Sequence, residues 1–135
     1  SSLSSQQVKL EVFQLVKKNR FEEALTMAIA SRNTGLLVSL CKELDFNTIS
    51  SSLSQPILLS LLQQLGSDLT TDVHFKLIWL QNCAVNLDTR DSYIRLNSPE
   101  ILTTLRNSLE KMIPMMPSLG GPSSNVLRTL LIVID

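Results

Sequence analysis

The stretch from Leu53 to Leu69, LSQPILLSLLQQLGSDL, constrains the fold of this chain more than any other. Leu58, Leu61, Leu62, Leu65 and Leu69 recur at i, i+3, i+4, i+7 and i+11, one apolar stripe on a 3.6-residue period. Ser54 stands where a helix start needs an oxygen to accept from an orphan backbone N–H. Pro56, two residues on, has no N–H to waste in a first turn and presets φ for the helix. The segment reads as an amphipathic helix with a defined start.

The rest of the chain agrees with that reading. Leucine accounts for 26 of 135 residues, whereas Phe, Tyr and Trp together make 4%. Leucine suits helix interiors, and strands favour β-branched and aromatic residues, so an all-α fold is predicted. A chain of this length can bury roughly 70% of its unfolded surface in one core. Twelve basic residues balance twelve acidic ones. The longest basic cluster, Lys17, Lys18 and Arg20, runs directly into Glu22 and Glu23. Binding to nucleic acid draws on clustered Lys and Arg, which argues against RNA as the main partner.

Ser4 with Gln7 forms a capping box that opens a first helix to about Lys18, striped by Val8, Val12, Leu15 and Val16. Asn19 with Glu22 is expected to repeat the device for a second helix bearing Phe21, Ala24, Leu25, Ala28 and Ile29. Asn33 can cap a third, carrying Leu37, Leu40, Cys41 and Leu44. Connections this short fold neighbouring helices back on each other. FNTISSS is a break holding a single helical turn around Thr48, and the helix from Ser54 follows, ending between Gly66 and Leu69. Asp72 is expected to cap a helix to about Leu87. Its apolar residues, Phe75, Ile78, Trp79 and Val85 included, go nearly all round, so it is the expected enclosed, central helix. A charged loop, DTRDSYIRLN, separates it from a helix starting at Ser98 and Pro99 and ended by Pro114. PMMPSLGGPSS reads as a connector. SNVLRTLLIVID has helical spacing at Leu127, Leu130, Leu131 and Ile134, although its LLIVI ending also suits a strand. Seven to eight helices in this order predict an irregular stack of antiparallel helical hairpins, a HEAT- or armadillo-like α-solenoid. Residues 1–7 read as the remnant of a Ser-rich linker and 8–135 as a single helical interaction domain, cut from a longer protein.

Chemistry-bearing constellations are absent from this sequence. His74 lies two residues from Asp72, but a catalytic triad needs an oriented third group and an oxyanion site. One histidine and the distant Cys41 and Cys83 do not make a zinc ligand set, and both cysteines are expected as buried free thiols. None of the four glycines precedes a Lys-Ser/Thr pair, so no phosphate cradle is present. Glu22/Glu23 and Glu43/Asp45 read as solvated surface charge. The prediction is a non-enzyme with no catalytic residues, metal or cofactor. No apolar run approaches the ~20 residues of a membrane helix.

Two interaction candidates remain. The loop after the central helix offers Arg90, Tyr93 and Arg95 along with Asp88 and Asp91, and arginine and tyrosine are favoured at interface hot spots. With Lys76 these residues make the expected partner-binding face, with Arg90 and Arg95 expected to be unoccupied by acidic helical partners. An ordinary solvated turn is the competing reading. Met112, Met115 and Met116 suit either an adaptable partner surface or core gap-filling.

Beyond these physical readings, SQPILLSLLQQLGSDL, continued by KLIWLQNCAVNLD (Lys76 to Asp88) and preceded by ALTMAIASRNTGLLVSLCKELD (Ala24 to Asp45), resembles the C-terminal domain of the enhancer of mRNA-decapping protein 4 family. The connector from Pro114 to Ser124 departs from that pattern. The resemblance implies a cytoplasmic processing-body scaffold of mRNA decay. It implies protein partners among decapping factors or other processing-body components, possible self-association, and no catalytic residue. A helical-repeat adaptor of another pathway, such as vesicle traffic, would share the physical features. A direct RNA-binding domain is the third reading.

Overall fold

A computed structural model describes residues 4–135. Of the expected linker, Ser1, Ser2 and Leu3 lie outside the described residues. Among the described residues the chain is helical throughout. The order is α1 (Ser5–Lys17), α2 (Phe21–Ala30), α3 (Thr34–Glu43), α4 (Phe46–Ile49), α5 (Gln55–Leu65), α6 (Val73–Val85), α7 (Ser92–Glu110), α8 (Met116–Leu119) and α9 (Gly121–Val133). Short 3-10 turns at Ser50–Ser52 and Ile113–Met115 follow α4 and α7. All but α4 and α8 have ten residues or more. The fold is a succession of helical hairpins, as expected, and it divides into two compact units, one ending at Ile57 and the other Leu58–Asp135.

In the first unit α1 packs on α2 and α2 on α3. Val12, Ala24, Leu25, Ala28, Leu37, Leu40 and Cys41 are shut from solvent. The starts are side-chain caps. Ser4 Oγ accepts the Gln7 amide at 3.2 Å, and Gln7 Oε1 accepts the Ser4 amide at 2.9 Å. Asn33 Oδ1 accepts the Leu36 amide at 3.0 Å, which begins α3. Asp45 caps the single turn α4 through the Asn47 amide and the Thr48 hydroxyl. The second start differs from expectation. Asn19 adopts φ of 58° and closes α1, leaving Arg20 at the head of α2 without a side-chain cap. Asparagine tolerates the left-handed region well, and that preference decides its role here.

In the second unit α9 packs on α6, α7 and α8. The last segment is helical, and Pro122 lies in its first turn, so the helix begins inside the expected connector. α7 departs most from the sequence reading. It starts at Ser92 and runs 19 residues straight through Pro99, rather than starting there. Asp91 supplies the cap, and Ile94, Ser98, Leu105 and Leu109 form a buried stripe that carries the helix past the proline. Pro99 gives up one backbone hydrogen bond, and that loss is outweighed by the buried face.

The most completely buried helix is α5, not α6. Ile57, Leu58, Leu59, Leu61, Leu62 and Leu65 are all buried, whereas α6 leaves Ile78 and Val85 exposed. Leu69 of the expected stripe falls beyond the end of α5. Just after α5, Gly66 permits a close approach to α7: a Cβ there would meet Leu105 Cδ1 at 2.6 Å and the Leu62 carbonyl oxygen at 2.8 Å. Asp72 heads α6 in the left-handed region, with φ of 49°, and its side chain does not cap the helix.

Candidate interaction surface

The charged segment between α6 and α7 is shaped by its own acids. Asp88 Oδ1 accepts the Arg90 amide at 2.9 Å, an Asx turn that folds the chain back after α6. That bond, helped by the Arg90 guanidinium, holds the Asp88 carboxyl below the usual carboxylate range. Asp91 Oδ1 accepts both the Tyr93 and Ile94 amides, at 2.8 and 3.2 Å, and so begins α7. Ile94, 2% exposed, anchors this first turn in the core. The acids are thus engaged by backbone donors, and the basic and aromatic side chains are exposed.

Arg90 is not without a partner, contrary to expectation. Its Nε lies 3.4 Å from Asp88 Oδ1, but the side chain is 92% exposed, where such a pair contributes little. Arg95 is exposed and makes no side-chain bond among the described residues. Tyr93 is 42% exposed. Leu96, 81% exposed, lies on the same side of α7 as Tyr93 three residues before it. In a loop, as the sequence predicts for this segment, Leu96 has no defined face; the helix gives it one. Lys76 does not join this surface. It is 4% exposed, and its ammonium donates to the Asp68 carbonyl oxygen at 2.6 Å and to the Thr71 hydroxyl at 3.3 Å. A partner side chain has no access to it. Its work is to tie the turn before α6 to the helix.

The methionines separate as well. Met112 is buried, Met116 half-buried and Met115 exposed, so the trio is not one surface. The same unit also holds a groove of 530 Å³ between the end of α5 and α7. Gln63, Ser67, Asn97, Glu100, Thr104 and Ser108 edge it over a floor of Leu62, Ile101 and Leu105.

The residues weighed for chemistry are placed otherwise. His74 Nδ1 lies 2.7 Å from the Ser123 hydroxyl, which joins the first turns of α6 and α9. Ser123 is buried, closed to any substrate. Cys41 and Cys83 are buried free thiols, and burial pushes the Cys41 thiol up to about 12. Among the described residues, no cluster of three His, Cys, Asp or Glu side chains could hold a metal, and no helix is long and apolar enough to cross a membrane.

Comparison with known proteins sets this chain in a family. The family described as "Enhancer of mRNA-decapping protein 4, C-terminal" matches residues 12–130. The enhancer of mRNA-decapping protein 4 from Homo sapiens is 31% identical over 124 residues, which are 87% of this chain and 9% of that protein. The Danio rerio protein of the same name is 27% identical over 98% of this chain and 10% of its own length. The Drosophila melanogaster homolog is 26% identical over 84% of the chain. The chain therefore spans about a tenth of the length of the curated relatives it matches. Among solved structures, the conserved C-terminal region of Ge-1 has the same fold, with a TM-score of 0.84 over 95% of this chain and 96% of that one, at 24% identity.

Proposed function

This chain belongs to the enhancer of mRNA-decapping protein 4 C-terminal family, and from that premise we propose that it is a non-enzymatic interaction domain of a decapping scaffold. In this reading it holds decapping factors or other processing-body components together in the cytoplasm and promotes mRNA decay by assembly rather than by chemistry. The observation that carries the reading is the face at the start of α7. There Arg90, Tyr93 and Arg95, joined by Leu96, are exposed on a turn anchored by buried Ile94 and by two carboxylates bonded to backbone amides. An exposed element with aromatic and guanidinium tips on an anchored backbone suits contact with another protein, because little backbone freedom is left to lose on binding. Lys76 has no part in the proposed site.

The test is co-purification. The tagged chain expressed in cells is expected to recover decapping factors and to concentrate in processing bodies. A helical, monodisperse protein that recovers none of them and spreads evenly through the cytoplasm contradicts the proposal. Replacing His74 with Gln is expected to leave recovery unchanged; loss of recovery with normal folding would reopen a chemical role.

A further inference from the structure

We propose that the start of α7 docks an acidic peptide segment, one that carries Asp or Glu side chains next to a Leu or Phe anchor. The inference rests on the reading of the chain as an interaction domain and names the chemistry of its partner.

Three observations lead to it. First, the two acids of the segment are committed to backbone donors, Asp88 to the Arg90 amide and Asp91 to the Tyr93 and Ile94 amides. The segment presents outward the guanidinium groups of Arg90 and Arg95, whose forks match carboxylates. Second, Arg95 is the fourth residue of α7, near the end where the helix dipole disfavours a cation. Asp91, four residues before it, is bonded to the Tyr93 and Ile94 amides, and Arg95 makes no ion pair among the described residues. Third, Leu96 is 81% exposed beside Tyr93, a small apolar step on which a partner's apolar side chain can close. Pro99, exposed one turn on from Leu96, adds apolar surface to the same face.

Carboxylate fits this face better than phosphate. A phosphoryl group seeks a helix N-terminus with free amides or a dense arginine cluster. Here the amides at the head of α7 already bind the Asp91 carboxylate, whose charge would repel a dianion more strongly than a monoanion.

The experiment titrates labelled synthetic peptides against the whole 135-residue chain and reads fluorescence anisotropy. The probes are a Glu/Leu peptide ending in Phe, a copy with Lys for each Glu, a copy with Ser for each apolar residue, and a copy with phosphoserine for each Glu. The Glu/Leu peptide is expected to bind saturably and to weaken with salt. Both Arg95→Glu and Leu96→Ser are expected to weaken it about tenfold. The Lys and Ser copies are expected to bind at least about tenfold more weakly. Circular dichroism of each variant is expected to match wild type. Equal binding of the Lys copy, or undiminished Glu/Leu binding by a folded Arg95→Glu chain, overturns the inference. Tighter binding of the phosphoserine copy overturns the choice of carboxylate. Decapping factors recovered through Arg90 and Arg95 with no Glu/Leu peptide bound would defeat this inference and leave the proposed function standing. Glu/Leu binding through Arg95 with no decapping factor recovered would support it while the proposed function fails.

Discussion

The unit that ends at Ile57 and the unit from Leu58 onward are built from the same kind of helix, but different information specifies them. In the first, three of the four helices that lie wholly within it start on an oxygen two or three residues from the amide it caps: Ser4, Asn33 and Asp45. In the second, several defining contacts join residues far apart in sequence. His74 meets Ser123, 49 residues on. Arg106 reaches the Asp135 carboxylate and the Ile134 carbonyl, 29 and 28 residues on. Gly66 makes room for Leu105. Local caps fix where a helix starts. Distant packing decides how far it runs and through what.

The largest test falls on the second unit. Leu62→Ala, at a fully buried position in α5, is expected to cost about 2–5 kcal/mol in urea denaturation. A domain with about 5–15 kcal/mol in total would be brought close to unfolding. A loss near zero would mean that the leucine stripe is not the core it is taken to be.

Gly66→Ala sharpens the comparison, since the position is harmless on local grounds and crowded on distant ones. The added methyl must displace Leu105 or the Leu62 carbonyl, at an expected cost of about 1–3 kcal/mol. Adding Leu105→Ala should then cost less than it does in the wild type, because the two side chains compete for one space. Strict additivity would deny the close approach.

Asn33→Ala probes the first unit. Loss of the bond to the Leu36 amide is expected to lower stability by about 0.5–2 kcal/mol, mostly by fraying α3, which hydrogen exchange would localise to its first turn. An unchanged exchange rate there would show that packing, not the cap, sets this start.

The smallest effect at neutral pH belongs to Cys41. The unfolded thiol ionises around its ordinary 9.0, whereas the folded one keeps its proton up to about 12. Between those values the unfolded state binds fewer protons than the folded state, so stability falls as pH rises. The contribution is fully present below about pH 9 and is lost toward pH 12. Cys41→Ala is expected to flatten that alkaline decline; an identical slope would place the titration elsewhere.

Much of this architecture is legible in the residues themselves. The stripe from Leu58 to Leu65 and the caps at Ser4 and Asn33 announce helices by patterns that span no more than a few turns. The start of α7 is not legible in that way. Ser98-Pro99 is a strong local start signal, and only the burial of Ile94 on one side and Leu105 and Leu109 on the other carries the helix through it. The expected interaction face suffered from the same gap. Arg90, Tyr93 and Arg95 could be picked by residue type, but Lys76 could be removed and Leu96 added only once the helix and its burial were known. Asp72 and Asn19 failed as caps because both adopt positive φ, a backbone choice that residue type permits without dictating.

The central claim is that partners are met at the start of α7, so the most direct measurement sets an exposed pair in each unit side by side. Arg90→Glu with Arg95→Glu is compared with Lys9→Glu and Lys17→Glu, all exposed, in quantitative recovery of decapping factors by the tagged chain. Surface changes of this kind usually shift stability by under about 0.5 kcal/mol, so both variants should remain folded. Recovery is expected to collapse for the arginine pair and to stay at the wild-type level for the lysine pair. Wild-type recovery by a folded Arg90→Glu/Arg95→Glu chain, or an equal loss in both variants, would contradict the account.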